Sequence, residues 1–342
     1  MGVERKTKAL QGKQFNDIDF NELIQSGEPC ILKGALHKAP LVQAALQSDE
    51  QAMSYLLSHV SERPLLNYTA GPEAKTRFFY NAEMNGLNFS TEYISLADFF
   101  QRLKQEKVAG TGACFYVGSA EVANHFPSLI ESDDLLLKGD TFQKYPPRAG
   151  IWLGNRTTAA IHYDVSNNVA ACLAGRRRFT LFPPDQIANL YPGPLEPTPG
   201  GQVVSMFDLN APDFERFPKA KAALECAQVA DLEAGDVLVY PAMWWHQVEA
   251  LDDFNIMINY WWNTVDSHVD DPMSTLLHGL LSLRDRPDNE KQAWRSLFDY
   301  YVFGEPETPR EHLPEHIWGE LSPMDAMTAR RLRAKLIKRF NR

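Results

Sequence analysis

The sequence predicts a mainly β protein with flanking helices: an α+β N-terminal part, a double-layered jelly-roll core and a helical C-terminal extension. Three observations carry this reading. Between residues 111 and 268, apolar residues fall in short runs rich in Val, Ile, Phe, Tyr and Trp, bounded by Gly, Pro, Asn and Asp. From Val169 onward no helical spacing separates those runs, which argues for a sandwich or barrel over a parallel α/β sheet. Before residue 110 helix-like and strand-like segments mix, and after residue 269 apolar residues return at helical spacing. The chain therefore divides into an N-terminal flank (1–110), a β core (111–268) and a helical extension (269–342).

In the flank, residues 20–26 read as a short helix and 29–34 as a strand ended by Gly34. Ser48 caps a helix through Ala52, Tyr55 and Leu56, and Ser95 caps another through Phe99, Phe100 and Leu103. Residues 64–68 and 77–80 are short extended runs. The core opens with strands at 114–118 and 150–154, separated by a polar stretch of helix and loop. A turn at 155–158 leads into a strand at 160–164. Residues 169–174 and 178–182 read as a hairpin about Gly175, a residue that accepts positive φ. Further strands are expected at 202–206, 227–232, 237–240, 244–250 and 255–262. In the extension, Leu276, Leu277, Leu280 and Leu281 mark one helix and 292–301 a second. Ser322-Pro323 reads as N-cap and first turn of a third. There Ala329, Leu332, Leu336 and Phe340 form an apolar stripe, and Arg330, Arg331, Arg333, Lys335, Lys338, Arg339 and Arg342 a basic face, read as solvated, with a dimer contact to an acidic surface or an anionic partner as the alternatives.

Composition narrows the functions. The 342 residues are 44% hydrophobic and 23% charged, as in ordinary folded chains. A net charge of −10 argues against nucleic acid or anionic membrane as a partner, since both require positive charge facing them. No stretch approaches the roughly 18 apolar residues of a membrane span. Cys30, Cys114, Cys172 and Cys226 are far apart and form no C-x-x-C. The charged start Met1-Gly2-Val3-Glu4-Arg5-Lys6 has no apolar segment after it, so a cytoplasmic protein with reduced thiols is expected.

The chemistry centres on Ile161-His162-Tyr163-Asp164 and Trp244-Trp245-His246. In an extended strand, side chains two apart leave the same face, so His162 and Asp164 can reach one ion. His246, from another strand, completes two imidazoles and one carboxylate. That set leaves one side of a metal open, as in non-haem Fe(II) oxygenases. His-x-Asp alone is a weak pattern; its neighbours make it informative.

Those neighbours are Gly175 with the basic residues after it, Leu181-Phe182-Pro183-Pro184-Asp185-Gln186 and Leu190-Tyr191-Pro192. Phe214-Glu215-Arg216-Phe217-Pro218, Gly235-Asp236-Val237-Leu238, Trp244-Trp245-His246 and Asn259 follow in order. From about Tyr116 to Trp262 the chain resembles the JmjC-type, cupin-like Fe(II)/2-oxoglutarate oxygenases, a family that includes the hypoxia-inducible-factor asparaginyl hydroxylase and bacterial cupin-like proteins. The resemblance implies a double-stranded β-helix and His162, Asp164 and His246 as iron ligands. It implies that Asn168 and Asn259 lie in the pocket near the cosubstrate. Tyr116 matches a tyrosine that bonds the distal carboxylate of 2-oxoglutarate. Thr158 is the nearest match to an assisting threonine, with Thr157 beside it. Arg177 stands where the family has a lysine on the same carboxylate; a guanidinium keeps the charge and can bind bidentately. Which of Arg176, Arg177 and Arg178 points inward is left open by their place in a turn.

The implied activity is hydroxylation of a protein side chain or small molecule, using O2 and 2-oxoglutarate with release of succinate and CO2. Alternatives are a cupin enzyme using another divalent metal, or a non-catalytic metal-binding module. The family also implies a homodimer through the C-terminal helices. Trp244, Trp245, Trp261 and Trp262 are candidates for either core or pocket wall.

Overall fold

The computed structural model describes residues 3–341; Met1, Gly2 and Arg342 of the basic helix face lie outside the described residues. The strands are β1 (Lys8–Leu10), β2 (Cys30–Leu32), β3 (Leu65–Ala70), β4 (Arg77–Phe78), β5 (Ser90–Ile94), β6 (Cys114–Glu121) and β7 (Arg148–Gly154). They continue as β8 (Thr158–Tyr163), β9 (Asn167–Ala174), β10 (Arg177–Phe182), β11 (Gln228–Leu232), β12 (Val237–Tyr240), β13 (Trp245–Ala250) and β14 (Asn255–Trp262). A large sheet has the order β1-β2-β12-β9-β14-β7-β6-β3-β5, and a smaller one β11-β10-β13-β8-β4. Apart from the parallel pairs β1–β2 and β4–β8, neighbours run antiparallel. The result is the mainly β, cupin-like core with helices that the sequence predicts.

Strand periodicity sorts the side chains of the large sheet between two cores. Val237 and Val239 of β12, Val169 and Leu173 of β9, and Ile256 and Ile258 of β14 pack with Phe20, Leu41, Phe99 and Phe100 of the N-terminal helices. The alternate residues Leu238, Tyr240, Ala170, Cys172 and Met257 face the smaller sheet, where they meet Phe179 and Leu181 of β10 and Val248 of β13. Burial on both faces is why Val237-Leu238-Val239-Tyr240 reads as an unbroken apolar run. Each fully buried Val, Leu or Ile contributes about 1.5–3 kcal/mol, so a charge at Val239 breaks the sheet from the helix side.

The helix starts behave as their caps require. Ser48 accepts from the Gln51 amide ahead of the helix Asp49–His59, and Ser95 from the Asp98 amide ahead of Leu96–Ala109.

Three expectations are corrected. The turn at Gly175 is not a hairpin: β9 pairs with β12 and β14, whereas β10 pairs with β11 and β13. The chain steps there from one sheet to the other, as a double-layered β-helix requires. Glycine is needed because φ is +69° and a Cβ would strike the Asn255 side chain and the Phe254 carbonyl. Residues 202–206 form no strand but isolated bridges, Val204 with His162 and Ser205 with Pro192. The last helix begins at Ala326, capped by Asp325, whose carboxylate accepts from the Thr328 amide at 2.7 Å. Asp325 carries a full charge to the helix N-terminus, which the Ser322 hydroxyl lacks.

Backbone packing divides the chain after Asn263. The unit from Thr264 onward contains the helices Pro272–Ser282, Asp288–Phe298 and Ala326–Phe340. Part of its basic face is internally paired, Arg333 with Asp270 and Lys335 with Glu320. Among the described residues no helix is long and apolar enough to cross a membrane.

Candidate metal centre

β8 and β13 are adjacent, and His162 stands directly opposite His246. Opposed residues of an antiparallel pair leave the sheet on one face, and the two ring centroids are 4.3 Å apart. Asp164 lies one residue beyond β8, with its Oδ2 3.8 Å from His246 Nε2. One donor atom from each of the three lies within 4.8 Å of the others.

The same device orients both rings. His162 Nδ1 meets the Ala160 carbonyl at 2.8 Å, and His246 Nδ1 meets the Trp244 carbonyl at 3.0 Å. A carbonyl only accepts, so each Nδ1 carries the proton and each Nε2 keeps its lone pair. Trp261 Nε1–H donates to Asp164 Oδ2 at 3.0 Å. Burial, reinforced by the charge of His162, holds the His246 imidazole well below its usual range, against the opposing pull of Asp164 and the Trp244 carbonyl. A neutral imidazole is the form that ligates. Two imidazoles and a carboxylate on one face suit a divalent transition metal, without selecting which one.

The inward face of the large sheet supplies the surrounding polar groups. Asn168 of β9 and Asn259 of β14 are both buried, and their side chains meet at 2.6 Å. The Tyr240 hydroxyl lies 3.4 Å from His246 Nε2. Burial, with the charge of Asp164, pushes that phenol far above its usual range. The sequence reading did not single out Tyr240. Its alternation with Leu238 in the run before Pro241 is the signal that turns both inward.

Arg177 opens β10 on the inward face it shares with Phe179 and Leu181. Only 2% of it is exposed, and its Nε and Nη2 have no partner among the described residues. Its neighbours are accounted for outside: Arg176 pairs with Asp252 and Arg178 with Asp231. Burial lowers the Arg177 pKa, opposed by Tyr116 and Cys172. The Tyr116 phenol is pushed up by burial and pulled back by the charge of Arg177. A buried guanidinium facing no carboxylate is costly, and an anionic ligand would relieve it.

Thr158 is not brought to this site. It lies opposite Glu249, on the face away from His162, and its hydroxyl meets Thr76 Oγ1 at 3.0 Å. The cause is a bulge. His162 pairs with His246, but Ala159 pairs with Val248, so β8 spends three steps where β13 spends two. His246 and Val248 share a face, which puts Ala159, and Thr157 beyond it, on the inward side. Thr157 does line the cavity beside His162. The tryptophans divide: Trp261 and Trp262 line the site, whereas Trp245 packs against Tyr163 and Trp244 against the inner core.

A cavity of about 520 Å³ opens over the three candidate ligands, walled by His162, Asp164, His246, Tyr240, Met257 and Trp261. Residues 16–268 match the family described as a cupin-like domain. Among curated proteins, the chain is 31% identical to human HSPB1-associated protein 1 over 186 residues, 50% of this chain and 36% of that protein. It is 30% identical to lysine-specific demethylase JMJ31 of Arabidopsis thaliana over 114 residues, 33% of this chain and 20% of that protein. It is 35% identical to tRNA wybutosine-synthesizing protein 5 of Gallus gallus over 117 residues, 33% of each chain. These matches therefore span about a third or less of the relatives' own lengths. With its two-sheet core and a match covering most of its length, the chain belongs to the cupin-like domain family.

Proposed function

We propose that the chain is an Fe(II)- and 2-oxoglutarate-dependent oxygenase that hydroxylates a protein side chain or a small molecule. The observation that carries the reading is the convergence of His162, Asp164 and His246, each imidazole with its Nδ1 held by a backbone carbonyl and its Nε2 unprotonated. Arg177 adds support: its unpartnered nitrogens offer a buried cation for the distal carboxylate of a 2-oxo acid. Iron with 2-oxoglutarate and O2 supplies oxidative decarboxylation to succinate and CO2, coupled to oxygen insertion into a C–H bond.

The chain's own residues do the rest. His162, Asp164 and His246 would hold the metal. Trp261 fixes the Asp164 carboxylate by its N–H. Arg177 and Tyr116 anchor the cosubstrate, with Thr157 taking the part first expected of Thr158. Asn259 lines the cavity and bonds the side chain of the buried Asn168 behind it. The apolar wall of Phe179, Val248 and Met257 limits water around the reacting groups.

The relatives' names span a lysine-specific demethylase, a tRNA wybutosine-synthesizing protein and an HSPB1-associated protein. A net charge of −10 favours a protein or small molecule over RNA. Four free cysteines, three of them buried, support a cytoplasmic setting. A homodimer is proposed through the extension, where Leu277, Leu281, Leu336 and Phe340 are exposed on helices, and sedimentation tests it.

The test is an anaerobic titration of metal-free protein with Fe(II), then 2-oxoglutarate, followed by visible absorption. A charge-transfer band in wild type that is absent in His246→Ala supports the reading. Iron binding without the band overturns the cosubstrate and leaves a cupin of other metal chemistry. No binding of any divalent metal overturns the enzyme reading in favour of a non-catalytic module.

A further inference from the structure

Tyr240 ends β12 in the large sheet, and its ring reaches the smaller sheet. The ring centroid lies 4.9 Å from that of His246 on β13 and 6.2 Å from that of Phe179 on β10. The ring belongs to the inner core, so the hydroxyl is the polar atom that Tyr240 brings to the wall of the metal cavity. That hydroxyl meets His246 Nε2 at 3.4 Å. Hydroxyl donors in proteins ordinarily close to about 2.5–3.0 Å, so the contact is long and weak. It is also in conflict with ligation. His246 Nδ1 is engaged by the Trp244 carbonyl, which makes Nε2 both the acceptor for the phenol and the ligand atom. Nε2 has one lone pair and cannot serve both. A bound metal therefore takes the phenol's acceptor away.

The neighbouring groups do not replace it. Burial and the charge of Asp164 raise the phenol's pKa, and a hydrogen bond with Asn259 opposes them. A bond that lowers the pKa donates to the phenol oxygen, so the proton is left for another partner. Asp164 Oδ2 already accepts from Trp261, and among the described residues no hydrogen bond joins Asp164 to Tyr240. A buried O–H without an acceptor is costly. We infer that, once a metal is bound, the Tyr240 O–H donates to a small anion, such as a carboxylate, that ligates the metal from the cavity. Tyr240 thereby favours metal ligands that keep an acceptor lone pair beside the ligating atom. The inference rests on the metal-centre part of the proposed function, and needs neither iron nor 2-oxoglutarate.

The test uses full-length protein loaded with Co(II), whose visible absorption reports its ligands, titrated with azide and separately with imidazole. Azide ligates through one nitrogen and keeps lone pairs that accept a hydrogen bond. Imidazole ligates through one nitrogen and carries a proton on the other, so it only donates. Tyr240→Phe keeps the ring and removes the hydroxyl. Azide affinity is expected to fall at least about tenfold in the variant, the size of a lost hydrogen bond to a charged group. Imidazole affinity and Co(II) affinity are expected to stay near wild type. Should Tyr240→Phe lower the melting temperature, the contrast between the two probes still decides, because a loosened site weakens both. The inference is overturned if azide binds the variant as tightly as wild type, or if the two probes weaken alike. It is also overturned if Co(II) affinity falls and the preference for azide does not, which would give the phenol to Asp164 or to the metal itself. A wild type that shows no Co(II) spectrum overturns the metal centre together with the inference, whereas a Co(II) spectrum with unchanged azide binding overturns the inference alone.

Discussion

His162 on β8 and His246 on β13 oppose each other across one antiparallel rung, each ring turned by the backbone carbonyl two residues before it. The pairing is thus fixed by sheet register and local backbone, before any metal arrives. The third donor is different. Asp164 lies past the end of β8, and Trp261 Nε1–H is its orienting partner.

Trp261→Phe is therefore expected to weaken metal binding by about tenfold or more, as loss of an outer hydrogen bond to a ligand typically does. The ring volume is largely kept, so the melting temperature of metal-free protein should stay near wild type. Chelator competition measures the affinity. Unchanged affinity would mean that Asp164 is held by something other than the indole.

Arg177 is expected to trade stability for binding. Arg177→Met removes a buried cation that has no carboxylate partner, and should stabilise ligand-free protein by about 1–3 kcal/mol in urea unfolding. The same change should weaken 2-oxoglutarate binding by about a hundredfold, because a desolvated charge pair is lost. Arg177→Lys should recover part of it. A destabilised Arg177→Met protein would show that the guanidinium has a structural partner.

The bulge in β8 separates two adjacent threonines. Thr157→Val should weaken 2-oxoglutarate binding by about tenfold, the cost of a hydrogen bond to a charged group. Thr158→Val should leave that binding alone and cost about 1 kcal/mol of stability through its lost bond to Thr76. The reverse pattern would put the inward face back on straight alternation. This pair also marks the limit of what the sequence makes legible. Period-two alternation sorts Val237 to Tyr240 between two cores, and it puts Thr158 on the His162 face. A bulge shifts that parity and leaves no residue signature in Thr157-Thr158-Ala159-Ala160. The Gly175 turn was legible as a turn, because its left-handed backbone needs glycine. That it changes sheet depends on partners some fifty to eighty residues away, β11 and β13, which local pattern does not encode. Arg177 was ambiguous for the same reason: only the pairing of β10 sends it inward and its two neighbours out to Asp252 and Asp231.

The last prediction concerns pH and follows from the buried His246. In the unfolded chain this imidazole takes a proton as pH falls through about 6.5. In the folded chain burial lowers its pKa, so the ring stays neutral well below that point. Over the interval the unfolded state binds more protons, so stability falls as pH falls. The loss begins near the unfolded value and levels off where the buried ring is finally protonated. Carboxylates titrate in the lower part of the same range, so the contribution is isolated by comparison with His246→Gln, which has nothing to protonate there. Metal-free wild type should lose melting temperature more steeply than the variant as pH falls from about 7 towards 5. Bound metal should steepen the wild-type curve further, because ligation requires the neutral ring. Parallel curves for wild type and variant would mean that His246 accepts its proton as readily in the folded protein as outside it, and that burial does not hold it ready for a metal.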